Sequence, residues 1–131
     1  IAGSREDHKQ EAITMANENN IDYDGKSFIP KLNSANGEVS EQTVFHYHQK
    51  DTVIWAEYAG GDILKGFLIG TVDEAGMLDF TYQHLNIKKE IKIGKCHSIP
   101  VVLKDNCIEL HEQWQWLNGD HSKGTSILIE I

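Results

Sequence analysis

The sequence predicts an all-β protein, an eight-stranded antiparallel up-and-down meander closed into a β-barrel, preceded by a short N-terminal helix or tail. Three observations carry that prediction. From Asp24 onward the hydrophobic period is two rather than 3.6, in segments rich in Val, Ile, Thr, Tyr, Phe and Trp. Turn-forming residues interrupt those segments at short intervals, and connections this short join antiparallel neighbours. No helical pattern lies between the segments, which removes the α/β folds, because a parallel crossover needs about a dozen residues or more.

The first twenty residues read differently. Ser4-Arg5-Glu6-Asp7 has the form of a capped helix start with acidic residues in its first turn, and Ala12, Ile13 and Ala16 add a thin apolar stripe. Met15 is an alternative native start. Residues 1–21 are therefore assigned to a tail or short helix, and 22–131 to the barrel domain. Strands are expected near 25–32, 40–49, 52–59, 63–72, 77–86, 90–100, 107–117 and 123–131. One break runs over Asn33 to Gly37. The others are Lys50-Asp51, Gly60-Gly61, Glu74-Ala75-Gly76, Ile87 to Lys89, Lys104-Asp105-Asn106 and Asn118-Gly119-Asp120.

Turn chemistry fixes which side chains face inward. A two-residue turn at Lys50-Asp51 would set Tyr47 opposite Ile54 and Phe45 opposite Ala56. A three-residue loop at Glu74-Ala75-Gly76, with Gly76 left-handed, sets Gly70 opposite Phe80, Leu68 opposite Tyr82 and Gly66 opposite His84. The same form at Lys104-Asp105-Asn106, with Asn106 left-handed, sets Cys96 opposite Trp114, Ser98 opposite Glu112 and Pro100 opposite Leu110. Opposed residues share a face, and this one is apolar or small. Ile127 and Ile129 join it by alternation, and a Gly60-Gly61-Asp62 loop would place Tyr58 and Leu64 there too. Glycines lie across from aromatics, as a curved wall holding large rings requires. Eight strands is about the number at which a barrel either fills with side chains or holds one small ligand, and closure removes exposed sheet edges.

Composition narrows the function. The chain has 131 residues, 40% hydrophobic and 24% charged, which suits one globular domain. A net charge of −8 with singly scattered lysines excludes a nucleic-acid partner, since no basic stripe displaces phosphate counterions. No apolar run approaches the roughly 18 residues of a spanning helix, and no signal-peptide pattern opens the sequence. Two cysteines are too few for a disulfide scaffold and point to a reduced, cytoplasmic setting. Cys96 and Cys107 sit at different depths on consecutive strands, too far apart to bridge.

The inward face carries polar groups among its rings: Tyr47, Tyr58, Tyr82, His84, Ser98 and Glu112, with Trp114 and Trp116 beside them. Two readings follow. In one, Glu112 bonds to Ser98 or a tyrosine and only fixes the core; in the other, these eight residues line a pocket that orients a small, partly apolar ligand. Glu112 with His84 would be the acid–base pair of an enzyme if the fold brought them together. A void of about 300 Å³ or more would mark a receptor, and a filled interior would not. His46 and His48 share the outer face, without the ligand count a metal site needs. No catalytic residue, metal set or cofactor motif is assigned. Ile63, Phe67, Ile69, Ile91 and Ile93 make an outer apolar strip. It is covered either by the N-terminal segment or by a second copy in a homo-oligomer.

Several runs carry a family likeness: Asn36-Gly37-Glu38-Val39-Ser40, Phe45-His46-Tyr47, Tyr58-Ala59-Gly60-Gly61, Leu68-Ile69-Gly70-Thr71-Val72-Asp73, Gly94-Lys95-Cys96 and Leu110-His111-Glu112-Gln113-Trp114-Gln115-Trp116. Over roughly residues 22–130 they resemble small bacilli-type proteins labelled as N-acetylglutamate synthase or its relatives. That resemblance implies acetyl transfer, although the chain has no pyrophosphate-binding loop opening a helix. The meander, and the segment from Gln113-Trp114 through Gly119 to Ser126, is also similar to avidin- and lipocalin-like barrels. This second likeness implies architecture, and no biotin contact is matched position by position.

Overall fold

The computed structural model describes residues 21–131, so the expected N-terminal helix lies outside the described residues. Eight strands follow one another: β1 (Ser27–Asn33), β2 (Val44–Lys50), β3 (Val53–Gly60), β4 (Ile63–Val72), β5 (Leu78–Asn86), β6 (Ile91–Val102), β7 (Ile108–Trp116) and β8 (Lys123–Glu130). Each pairs antiparallel with the next, and β8 pairs with β1 to close the barrel.

Two hairpins adopt the predicted register. Gly76 (φ 83°) and Asn106 (φ 68°) take the left-handed positions, and Gly70↔Phe80, Gly66↔His84, Cys96↔Trp114 and Ser98↔Glu112 are opposed as expected. The β2–β3 turn differs. Its loop residues are Asp51 and Thr52, with Asp51 at φ 55°, so Lys50 pairs with Val53 and Tyr47 with Ala56. The register moves by an even step, and inward residues stay inward.

Two parts of the expected inner face are corrected. In β8 the inward residues are Ser126 and Leu128, whereas Ile127 and Ile129 are half-buried on the outside. The Ser-Ile-Leu-Ile run is apolar on both faces, so alternation could not choose between them. The Trp114 ring does choose: it lies against Gly124, whose added Cβ would collide with the indole, and it hydrogen-bonds Ser126. In β4 the order reverses near the turn. Gly60 pairs with Ile63 across Gly61 and Asp62, which buries Ile63 and exposes Leu64. One extra residue at Leu64-Lys65 then restores the register by Gly66.

The rings inside need room. A Cβ on Gly66 would meet the Tyr58 ring and one on Gly94 the Tyr82 ring, which explains why glycine faces those aromatics. One end of the barrel is plugged. Tyr23, fully buried, donates its hydroxyl to the Gly76 carbonyl (2.6 Å) and packs on Tyr47, while Phe28, Ile54, Leu78, Leu110 and Leu128 fill the space above it. At the other end the connection between β1 and β2, residues 34–43, crosses the opening.

Candidate functional site

Under that crossing segment lies a cavity of about 50 Å³. This is well below the ~300 Å³ of an open receptor, yet it is not a filled core. At ~10–15 Å³ per site it holds a few waters or one compact molecule. Phe45, Tyr58, Phe80, Tyr82, Trp114 and Trp116 supply its aromatic walls, and Glu38, His84, Glu112, Asn33 and Ser126 its polar groups.

The upper polar group begins with Glu38, delivered by the crossing segment. Its Oε1 lies 2.8 Å from His84 Nε2, and His84 Nδ1 lies 3.0 Å from the Tyr58 hydroxyl. A carboxylate only accepts, so a neutral His84 carries its proton on Nε2 and accepts from Tyr58 at Nδ1. Burial lowers the His84 pKa below its usual value, against the opposing pull of Glu38. Asn86 and Lys92 approach the other Glu38 oxygen at 3.3 and 3.8 Å. Trp116 Nε1 donates to the Asn36 carbonyl (3.1 Å), and Asn36 holds Lys123 and Ser122 of the far wall. The segment is therefore tied down at two points.

The lower group is built on β6 and β7. Ser98 Oγ donates to Glu112 Oε2 at 2.9 Å, and Cys96 Sγ lies 3.7 Å from Ser98 Oγ. Since the Ser98 proton goes to the carboxylate, the thiol is the donor in that second contact. Burial pushes the Glu112 carboxyl up to about 7, with the Ser98 bond opposing. Burial likewise raises the Tyr82, Tyr58 and Cys96 groups, so all three are neutral near pH 7. Trp114 Nε1 donates to Ser126 Oγ (2.8 Å), and Ser126 donates to Asn33.

Six of the eight predicted site residues, Tyr58, Tyr82, His84, Glu112, Trp114 and Trp116, line the cavity. Ser98 reaches it only through Glu112. Tyr47 lies deeper, fully buried, and its hydroxyl has no partner among the described residues. His84 and Glu112 bond to different partners and form no acid–base pair. Sequence reading missed Glu38, Asn33 and Ser126. The signal for Glu38 was the length of its connection, the longest between strands, because long connections carry function more often than tight turns.

Outside the barrel, His48 bonds Glu57 (2.8 Å) and stacks on Trp55, while His46 bonds Ser27. Among the described residues no cluster of His, Cys, Asp and Glu is placed to hold a metal ion. Cys96 and Cys107 are free thiols. Phe67, Ile69 and Ile91 of the expected outer strip are exposed and Ile93 is half-buried, whereas Ile63 belongs to the core because of the β4 bulge.

A closed eight-stranded antiparallel meander with a small cavity at one end defines an up-and-down β-barrel. A family model described as "Avidin-like protein" matches residues 21–131, and the chain belongs to that family. The match agrees with the avidin-type resemblance and gives no support to the N-acetylglutamate synthase one. No curated protein and no solved structure matches the chain significantly.

Proposed function

We propose that this protein is a non-catalytic receptor that encloses one compact small molecule between Glu112, Tyr58, Tyr82, Trp114 and Trp116. The observation that carries the reading is the cavity itself: aromatic walls with a few convergent polar groups, beneath a hydrogen-bonded cover. Family membership supports the same reading, since the avidin-type barrel is a scaffold for interior binding. The size of the cavity restricts the ligand to a few heavy atoms unless the rings move. Fatty acids and biotin-like bicycles are thus size controls rather than first candidates.

Thermal-shift screening of compact polar metabolites, read together with tryptophan fluorescence, tests this proposal. A true ligand raises Tm and perturbs Trp114 and Trp116, and Cys96→Met, which extends a side chain into the cavity, removes both effects. If every compound leaves both readouts unchanged, the receptor reading fails.

A further inference from the structure

The cavity has an acidic floor with no counter-ion among the described residues. Glu112 is buried and lines the space, its Oε2 accepts from Ser98, and its Oε1 accepts no hydrogen bond among the described residues. The groups around it on every neighbouring strand are neutral: Cys96 and Ser98 on β6, Ser126 on β8, Tyr47 on β2, Tyr58 on β3 and Tyr82 on β5. Among the described residues no lysine or arginine lines the cavity. His84 does not fill that role, because its two nitrogens are taken by Glu38 and Tyr58 and burial favours its neutral form.

The walls are suited to the missing charge. Aromatic rings attract cations through their electron-rich faces, most strongly where water is excluded. Trp116 already does this at the opening, where Lys92 Nζ lies 5.4 Å from its ring centroid. Trp114 and Trp116 lie 5.3 Å apart, and Tyr82 sits 5.7 Å from Trp116.

We propose that the occupant is a compact organic cation, an alkylammonium or guanidinium group, seated on the Glu112 carboxylate within the rings of Tyr58, Phe80, Tyr82, Trp114 and Trp116. This rests on the receptor reading above and names its ligand class. An anion meets the Glu112 carboxylate and is repelled. A neutral amide pairs with the protonated carboxyl but leaves the ionised floor uncompensated, so its affinity falls as pH rises. Only a cation complements both the ionised floor and the aromatic walls, and the volume of about 50 Å³ limits it to a small one. With the Glu112 carboxyl poised at about 7, the cation binds the ionised form and displaces a proton. Affinity then rises with pH by about tenfold between pH 6 and pH 8, as the competent fraction grows.

The test compares methylguanidinium with its neutral isostere methylurea and with acetate, at constant ionic strength, using the full chain. Tryptophan fluorescence gives affinity at both pH values, and calorimetry in two buffers of different ionisation enthalpy counts the protons released. The expected result is binding of methylguanidinium alone, about tenfold tighter at pH 8, with close to one proton released at pH 6. Glu112→Gln should weaken it about tenfold or more. Because that substitution could also alter packing, the proton count in the unmodified protein is the independent check. Equal binding of methylurea, no proton release, or a Glu112→Gln protein of unchanged affinity overturns the cation assignment. A neutral metabolite that binds where methylguanidinium does not overturns it as well, and leaves the receptor standing. Silence from every compound, including the metabolite screen, overturns both.

Discussion

The two ends of this barrel are built from the same eight strands and solve opposite problems. The plugged end is joined by tight turns and packed with Tyr23, Phe28, Ile54, Leu78, Leu110 and Leu128, all buried and with scarcely a polar side-chain atom among them. The covered end has the long 34–43 connection, a Glu38–His84–Tyr58 chain and a residual cavity. Packed apolar contacts stabilise, whereas polar groups held around a gap cost desolvation and gain only what their hydrogen bonds return. The difference teaches that stability resides at the plugged end, while the proposed binding site sits at the other. Substitutions should therefore separate the two properties.

The largest effect is expected where packing is densest. Leu110→Ala at the plugged end should lower stability by about 3 kcal/mol, the usual cost of an unfilled cavity at a fully buried leucine. Chemical denaturation gives the number. A loss below about 1 kcal/mol would mean that this end is not the stabilising one.

Glu112, near the middle, links the two ends through pH. Its folded carboxyl lies at about 7 against 4.5 in the unfolded chain. Between those values the folded state holds the extra proton, so stability from this group is full below pH 4.5 and falls as pH rises toward 7. The loss approaches ~3 kcal/mol by pH 8. Glu112→Gln should flatten that slope and be the more stable protein at pH 8. A slope that survives the substitution would assign it to another group.

The legibility of the two ends in the sequence differed for a physical reason. Gly76 and Asn106 announce their turns through the backbone conformation they permit, so β4–β5 and β6–β7 could be registered residue by residue. From those registers Glu112 opposite Ser98 followed directly. By contrast, the Ser-Ile-Leu-Ile run of β8 offers an apolar residue to either face, and only the fit of Trp114 against Gly124 and Ser126 decides it. Glu38 was hidden for a similar reason. A carboxylate in a turn-rich stretch reads as solvated until a tertiary contact brings His84 to it.

Tyr47 is the exception at the plugged end, and a smaller test of the comparison. Its buried hydroxyl has no partner among the described residues, and burial first, then Glu112, raises its pKa well above the usual value. Removing an unsatisfied buried group should help, so Tyr47→Phe is expected to stabilise by about 1 kcal/mol. A destabilised variant, measured by the same denaturation, would show that the hydroxyl is paired and that polar anchoring extends into this end.

The smallest effect on stability belongs to the cover. Glu38→Ala removes a half-buried carboxylate that accepts from His84 and Asn86 and neighbours Lys92, for a loss of no more than about 1 kcal/mol. The consequence should be local. The amide of Gly37, bonded to the Ser34 carbonyl inside the cover, should exchange with solvent about fivefold faster, whereas that of Ile54 in the wall should not change. His84 reports the same break independently. With the carboxylate gone, nothing opposes its burial, and its pKa should fall further below the ordinary histidine value, visible as a titration displaced to lower pH by NMR. Faster exchange at both positions would mean that the cover and the barrel open as one unit, and the separation of stability from recognition would be lost.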